Sequence, residues 1–149
     1  MTRTSLALRI VLPALWFGMI VAISFLEAPL KFQAPGITLE LGLGIGRLVF
    51  TALNIAGVII LVLLTIASLR PRITRLQGWL LGGLWLVLLV EVLLIRPPLN
   101  ARTDALLAGQ ADPGSVLHYL YIAADVLLLV LLAAFTAVSA RAVLPERRG

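Results

Sequence analysis

The chain has no cysteine, so disulfides, thiolate metal ligands, iron–sulfur clusters and cysteine nucleophiles are excluded. A single histidine, His118, rules out bis-histidine haem. Lysine is nearly missing as well, since Lys31 stands alone among twelve basic residues. With so much Ala, Leu, Gly and Arg, that bias points to a GC-rich bacterial genome. Charge of either sign is scarce, at 13% of residues. No Gly-rich phosphate loop, nucleophile elbow or two-histidine zinc motif occurs, so nucleotide-dependent and hydrolytic chemistry have no motif to stand on.

What is present is apolar. Of 149 residues 61% are hydrophobic, and the mean hydropathy is +1.09. Such a chain has too little polar surface to dissolve. Four runs, about 6–26, 42–69, 76–95 and 116–140, each reach the roughly 20 residues that a helix needs to cross a ~30 Å hydrocarbon core. The expected fold is an all-α integral membrane four-helix bundle, one transmembrane domain over residues 1–149 with the lipid bilayer as its partner. Ala22-Ile23-Ser24 has the small residues of a signal-peptide cleavage site. The apolar run nonetheless continues through Phe25-Leu26 and has a counterpart in the third run, so it is read as a retained span.

The net charge of +5 is arranged by topology rather than for nucleic acid, and no nucleic-acid partner is expected. Arg3 and Arg9 precede the first span, Arg70, Arg72 and Arg75 fill the second loop, and Arg141, Arg147 and Arg148 follow the fourth. The first and third loops hold Glu40, Asp104 and Asp112 beside Lys31 and Arg102. This positive-inside bias predicts a multi-pass protein of the cell membrane with both termini cytoplasmic and Lys31 and Asp104 external.

Proline, glycine and tryptophan suggest how the spans end and pack. Pro29 and the Pro97-Pro98 pair are expected to close the first and third helices, because proline lacks an N–H and disfavours helix before it. Pro35-Gly36 and Asp112-Pro113-Gly114 read as turns, and residues 101–109 as a short surface helix stopped by Gly109. Gly42-x-x-x-Gly46 and Gly78-x-x-x-Gly82 allow close helix approach, inside the chain or in a homodimer. Of Trp16, Trp79 and Trp85, Trp79 fits an interfacial anchor best.

The second half echoes the first. Leu15-Trp16 and Pro29-Leu30 recur as Leu84-Trp85 and Pro98-Leu99, and Arg47-x-x-Phe50-x-x-x-Asn54 is matched by His118-x-x-Tyr121-x-x-x-Asp125. Each series keeps the i, i+3, i+7 spacing of one helix face. Two pseudo-repeated hairpins follow, about 6–69 and 76–140, related by rotation about the membrane normal, with Arg47 opposite His118 and Asn54 opposite Asp125.

Polar residues within the spans gather toward one end. Arg47 and His118 stand near the outer interface, while Asn54 and Asp125 lie about 10 Å deeper by helical rise. Glu91 lies about 7 Å below Arg96, at the depth of Asp125. Carboxylates at that depth are expected to face the bundle interior. Glu27 and Lys31 form an i, i+4 pair at the end of the first span. Arg47 is a partner for Glu91 or Asp125, Asn54 is an interhelical hydrogen-bonding group, and Tyr121 and Arg96 complete the cluster. The best metal set available is His118, Asp125 and Glu91, a one-histidine, two-carboxylate group suited to iron or manganese rather than to copper. No cofactor is named by any motif.

Trp16-x-Gly18, Ala28-Pro29-Leu30-Lys31-Phe32 and the histidine heading the last span together resemble the transmembrane-protein-205-like group. That is a set of small membrane proteins carried as a domain of unknown function. Its members show His-x-x-Ser-x-x-x-Asn where this chain has His118-x-x-Tyr121-x-x-x-Asp125. The resemblance implies a membrane bundle, with metal-drug tolerance attached to the eukaryotic branch. Three functions stay open: a pocket on the external side that binds or moves a small polar ligand or cation; a membrane oxidoreductase with a metal or quinone-type site; or an assembly subunit whose polar groups only fix helix pairing.

Overall fold

In the computed structural model, residues 2–110 and 116–142 are described, and they fold into four long helices with no strand among them. The helices run Arg3–Gln33, Leu39–Leu69, Arg75–Leu107 and Val116–Arg141, each long and apolar enough to cross a membrane. Within each apolar window only 28–33% of residues are buried in the bundle. Much of the remainder, including Leu48, Ile59, Leu86 and Val130, is exposed as an apolar surface that lipid satisfies. The chain is an all-helical, multi-pass membrane protein. The Asp112-Pro113-Gly114 turn and the arginines at 147 and 148 lie outside the described residues.

Local chemistry sets the helix ends. Thr38 caps the second helix, its hydroxyl accepting the Leu41 N–H at 3.2 Å. Thr74 and Gln77 form a reciprocal capping box at the start of the third. Gly36 and Gly109, both at φ +81°, take the left-handed turns that end the first and third helices.

The prolines do not end the helices, contrary to expectation. The first helix continues through Pro29 to Gln33, and the third continues through Pro97-Pro98 to Leu107. Residues 101–109 are therefore no separate surface helix but the tail of the third span. What absorbs each proline is a π-helical segment just before it, Val21–Glu27 in the first helix and Glu91–Ile95 in the third. There the Ala28 N–H bonds the Ile23 carbonyl, and the Arg96 N–H bonds the Glu91 carbonyl, both five residues back. Widening the turn moves the ladder past the carbonyl that the proline ring would strike and that its missing N–H would leave unpaired.

The helices close a ring. The first packs along both the second and the fourth, the third packs on the fourth, and the second and third meet over a shorter length. Trp16 and Ile20, Leu61 and Leu64, Leu84 and Leu88, and Leu132 and Phe135 fill the centre. Trp16 is thus a core residue, 1% exposed and seated on Gly57, whereas Trp79 is 81% exposed. Side-chain bonds cross the helices as well: Trp85 Nε1 donates to Thr65 Oγ1, and Gln77 Nε2 to Ser139 Oγ, each at 3.0 Å.

Arg9 does not precede the first helix; it lies within it, 3% exposed. Its guanidinium donates to the Ala67 carbonyl at 3.0 and 2.9 Å and to the Pro71 carbonyl. Pro71 stands four residues after Ala67 and has no N–H to offer that carbonyl, so Arg9 supplies the missing donor.

Candidate functional site

At the end of the bundle opposite Arg9, every helix sends a polar side chain inward. Ser24 comes from the first π segment, Asn54 from the second helix, Glu91 from the second π segment, and Tyr121 and Asp125 from adjacent turns of the fourth helix. Glu91 and Asp125 are 1% and 2% exposed, so the expectation that they face the interior holds. Tyr121 and Asn54 face the Glu91 carboxylate, and Ser24 faces Asp125. Arg96, 8% exposed and one wide turn beyond Glu91, acts electrostatically on both acids.

The cluster is close but incompletely bonded. Glu91 Oε2, Asp125 Oδ2, Tyr121 Oη, Asn54 Nδ2 and Ser24 Oγ are buried without a hydrogen-bond partner among the described residues. A network that serves packing alone normally closes its bonds, because an unmade buried bond costs about 1–3 kcal/mol. Tyr121 and Asn54 are turned toward Glu91, and Ser24 toward Asp125, so the donors stand close to the acids without closing good bonds to them, an arrangement looser than a network that only packs helices.

Above the cluster opens a cavity of about 510 Å³, to which all four helices contribute. Ser24, Arg96 and Tyr121 belong both to its lining and to the acid cluster, so they form its floor. Phe25, Phe32, Phe50 and Ile122 supply apolar walls, and the Phe50 and Tyr121 rings meet edge-on at 5.3 Å and 81°. Two cations on the rim are already paired. Lys31 lies 3.4 Å from Glu27, as the i, i+4 spacing predicts, with its ammonium over the Phe32 and Phe50 rings at 5.6 and 5.7 Å. Gly42 and Gly46 make that arrangement possible: a Cβ at Gly42 would collide with the Phe32 ring, and one at Gly46 would lie 2.9 Å from Lys31 Nζ. This small-residue pair works inside the chain. A Cβ at Gly82, by contrast, would meet nothing.

Several predicted partnerships are corrected. Arg47 does not pair with Glu91 or Asp125; it reaches Asp104 on the extended third helix at 2.5 Å. The reason is the helical continuation past Pro98, which brings Asp104 over the second helix. His118 is exposed on the rim, beside Tyr119, and does not approach the acids. Seven residues of helix, roughly 10 Å of rise, separate it from Asp125, too far to share one ion. Among the described residues no three potential ligands gather to hold a metal, so the His118, Asp125 and Glu91 set is not formed. Of the two echoed series, the middle members touch, Phe50 on Tyr121, and the inner members Asn54 and Asp125 share the acid cluster; the outer members, Arg47 and His118, both line the cavity.

Three participants escape a reading of the sequence. Ser24 sits where small residues suggest a cleavage site, Asp104 where a loop is expected, and Arg9 among arginines that look like a collar. No protein-family model, curated protein or solved structure matches the chain.

Proposed function

We propose that this is a ligand-binding, transport-type membrane protein whose cavity holds a small molecule with a polar or acidic head and an apolar body. The observation that carries the reading is the convergence of all four helices on one cavity whose floor, Ser24, Arg96 and Tyr121, adjoins a buried pair of acids. Its volume falls within the roughly 300–1,000 Å³ of small-molecule sites. With Lys31 and Arg47 neutralised by Glu27 and Asp104, Arg96 is the cation left to meet a polar head, and the phenyl rings accommodate the body. The arginines at the Arg9 end support an orientation with both termini in the cytoplasm of a bacterial cell, so the cavity opens outward. The two π segments at matching places ahead of Pro29 and Pro98 favour a duplicated hairpin. Kinship with the transmembrane-protein-205-like group belongs to the same proposal: the motif residues Trp16, Lys31 and Phe32 are those that seat the first helix on Gly57, Gly46 and Gly42.

Native mass spectrometry of protein released from membranes in mild detergent reads a bound molecule directly. Wild type should retain one. Ile122→Trp, which fills the cavity from an exposed lining position, should retain none while keeping its helix content, with a melting temperature lowered only by the stabilisation that the bound molecule gave. An empty wild type, with Arg96→Gln lowering the melting temperature steeply, would leave the cluster as a device for helix pairing.

A further inference from the structure

The floor of the cavity carries a charge imbalance. Glu91 and Asp125 bring two negative charges when ionised, and the groups that face them from every packed element are few. Ser24 from the first helix, Asn54 from the second and Tyr121 from the fourth are neutral; Arg96 from the third is the single cation acting on both. Lys31 and Arg47 are committed to Glu27 and Asp104, His118 is on the exposed rim, and Arg9 is bonded to carbonyls at the far end. One negative charge is left over, 1–2% exposed, in a bundle surrounded by hydrocarbon. A net buried charge in that setting is costly, and one added positive charge removes the cost.

The unpartnered atoms say what that charge is. A metal cation of the sodium class needs oxygen lone pairs turned toward it. Here Tyr121 Oη, Asn54 Nδ2 and Ser24 Oγ are donors, or can be, and they face carboxylate oxygens. Donors gathered round two acids suit one ionised carboxylate and one protonated carboxyl. We propose that Glu91 and Asp125 form a site for a single proton, held by the pair jointly and exchanged with the external cavity through the hydroxyls of Ser24 and Tyr121. Both hydroxyls line the cavity and face an acid. In the exchange, a hydronium in the cavity gives a proton to the Ser24 oxygen as Ser24 gives its own to Asp125; one positive charge moves inward and no heavy-atom bond changes. The site rests on the proposed function for its link to ligand movement, but not for its existence.

Infrared spectroscopy tests it without any ligand, because a protonated carboxyl has a carbonyl stretch distinct from that of a carboxylate. Wild type in lipid film at neutral pH should show one protonated carboxyl. Charge counting then gives an unusual pattern. Glu91→Gln and Asp125→Asn should each abolish the band although one acid remains, since that acid is balanced by Arg96. Arg96→Gln keeps both acids and should double it. Absence of the band in wild type, or its survival unchanged in both single-acid variants, overturns the proposal. Stabilisation of wild type by sodium chloride and not by choline chloride also overturns it, in favour of a metal cation. If variants fail to fold, the wild-type band and the salt comparison still decide. A present band with no retained small molecule would fault the proposed function alone; a retained molecule with no band would fault this inference alone.

Discussion

Replacing Arg9 by methionine should unlatch the end of the bundle opposite the cavity. Arg9 is 3% exposed, and its guanidinium donates to two carbonyls, Ala67 and Pro71, that belong to the end of the second helix and its following turn. Hydrogen bonds from a charged donor contribute about 1.5–3 kcal/mol each, so two bonded carbonyls set an upper figure of about 3–6 kcal/mol. Methionine fills similar space and spares the cost of burying a cation, which brings the expected loss to about 2–4 kcal/mol. Lysine keeps the charge but not the fork that spans both carbonyls, and Arg9→Lys should lose about half as much. Unfolding in mixed micelles with increasing dodecyl sulfate measures these differences, with infrared amide bands as the readout of helix. Retention of a cavity ligand should be unchanged in the variants while they stay folded, because Arg9 lies outside the cavity lining. A methionine variant within about 0.5 kcal/mol of wild type, the range of an inert surface change, would refute the latch.

Gly57→Ala should destabilise by about 1–3 kcal/mol, since the new Cβ would lie 2.9 Å from the Trp16 ring in a packed core, while Gly82→Ala, facing open space, should be neutral; the same unfolding titration compares them. Asp104→Asn should cost less than about 1 kcal/mol, and less still in high salt, because the Asp104 side chain is 62% exposed; an effect as large as that of Gly57→Ala would show the Arg47 pair to be structural. Thr74→Ala should cost about 0.5–2 kcal/mol through loss of the reciprocal cap, measured in the same way. For topology, Glu40→Cys is better placed than a change at Lys31, whose side chain is only 10% exposed; an impermeant maleimide should label Glu40→Cys on intact cells, and labelling only after lysis would invert the orientation.

Hydropathy and helical spacing made the four helices, the inward acids and the Glu27–Lys31 pair legible, because each depends on residues close in sequence or on burial that hydrocarbon enforces. The prolines misled for a local reason. A proline forbids one α-type bond, yet it does not forbid a helix whose ladder slips by one residue ahead of it, and composition does not distinguish the two outcomes. That slip had long-range effects: the third helix ran on, Asp104 came over the second helix, and Arg47 was drawn away from the acids. His118 looked like a ligand because it is the single histidine and heads the same helix face as Asp125. It shares a face with Tyr121 and Asp125, but its place in the first turn of the fourth helix leaves it exposed on the rim, above the acids. Ser24 was hidden because a serine among small residues carries no signal until a wide turn aims it at an acid.

Each wide turn amounts to one surplus residue in a helix otherwise of regular pitch, the trace that a single-codon insertion leaves when the chain bulges instead of breaking. Excising one residue from either segment would restore the regular pitch and rotate everything beyond it by about 100°. On the first helix this would carry Lys31 and Phe32 off their two glycines; on the third it would swing Arg96 away from the acids. The cavity therefore depends on the count of residues as well as on their kind. Substitution can retune its lining, whereas a length change of one in either odd helix would dismantle it while leaving four apolar membrane-spanning helices intact.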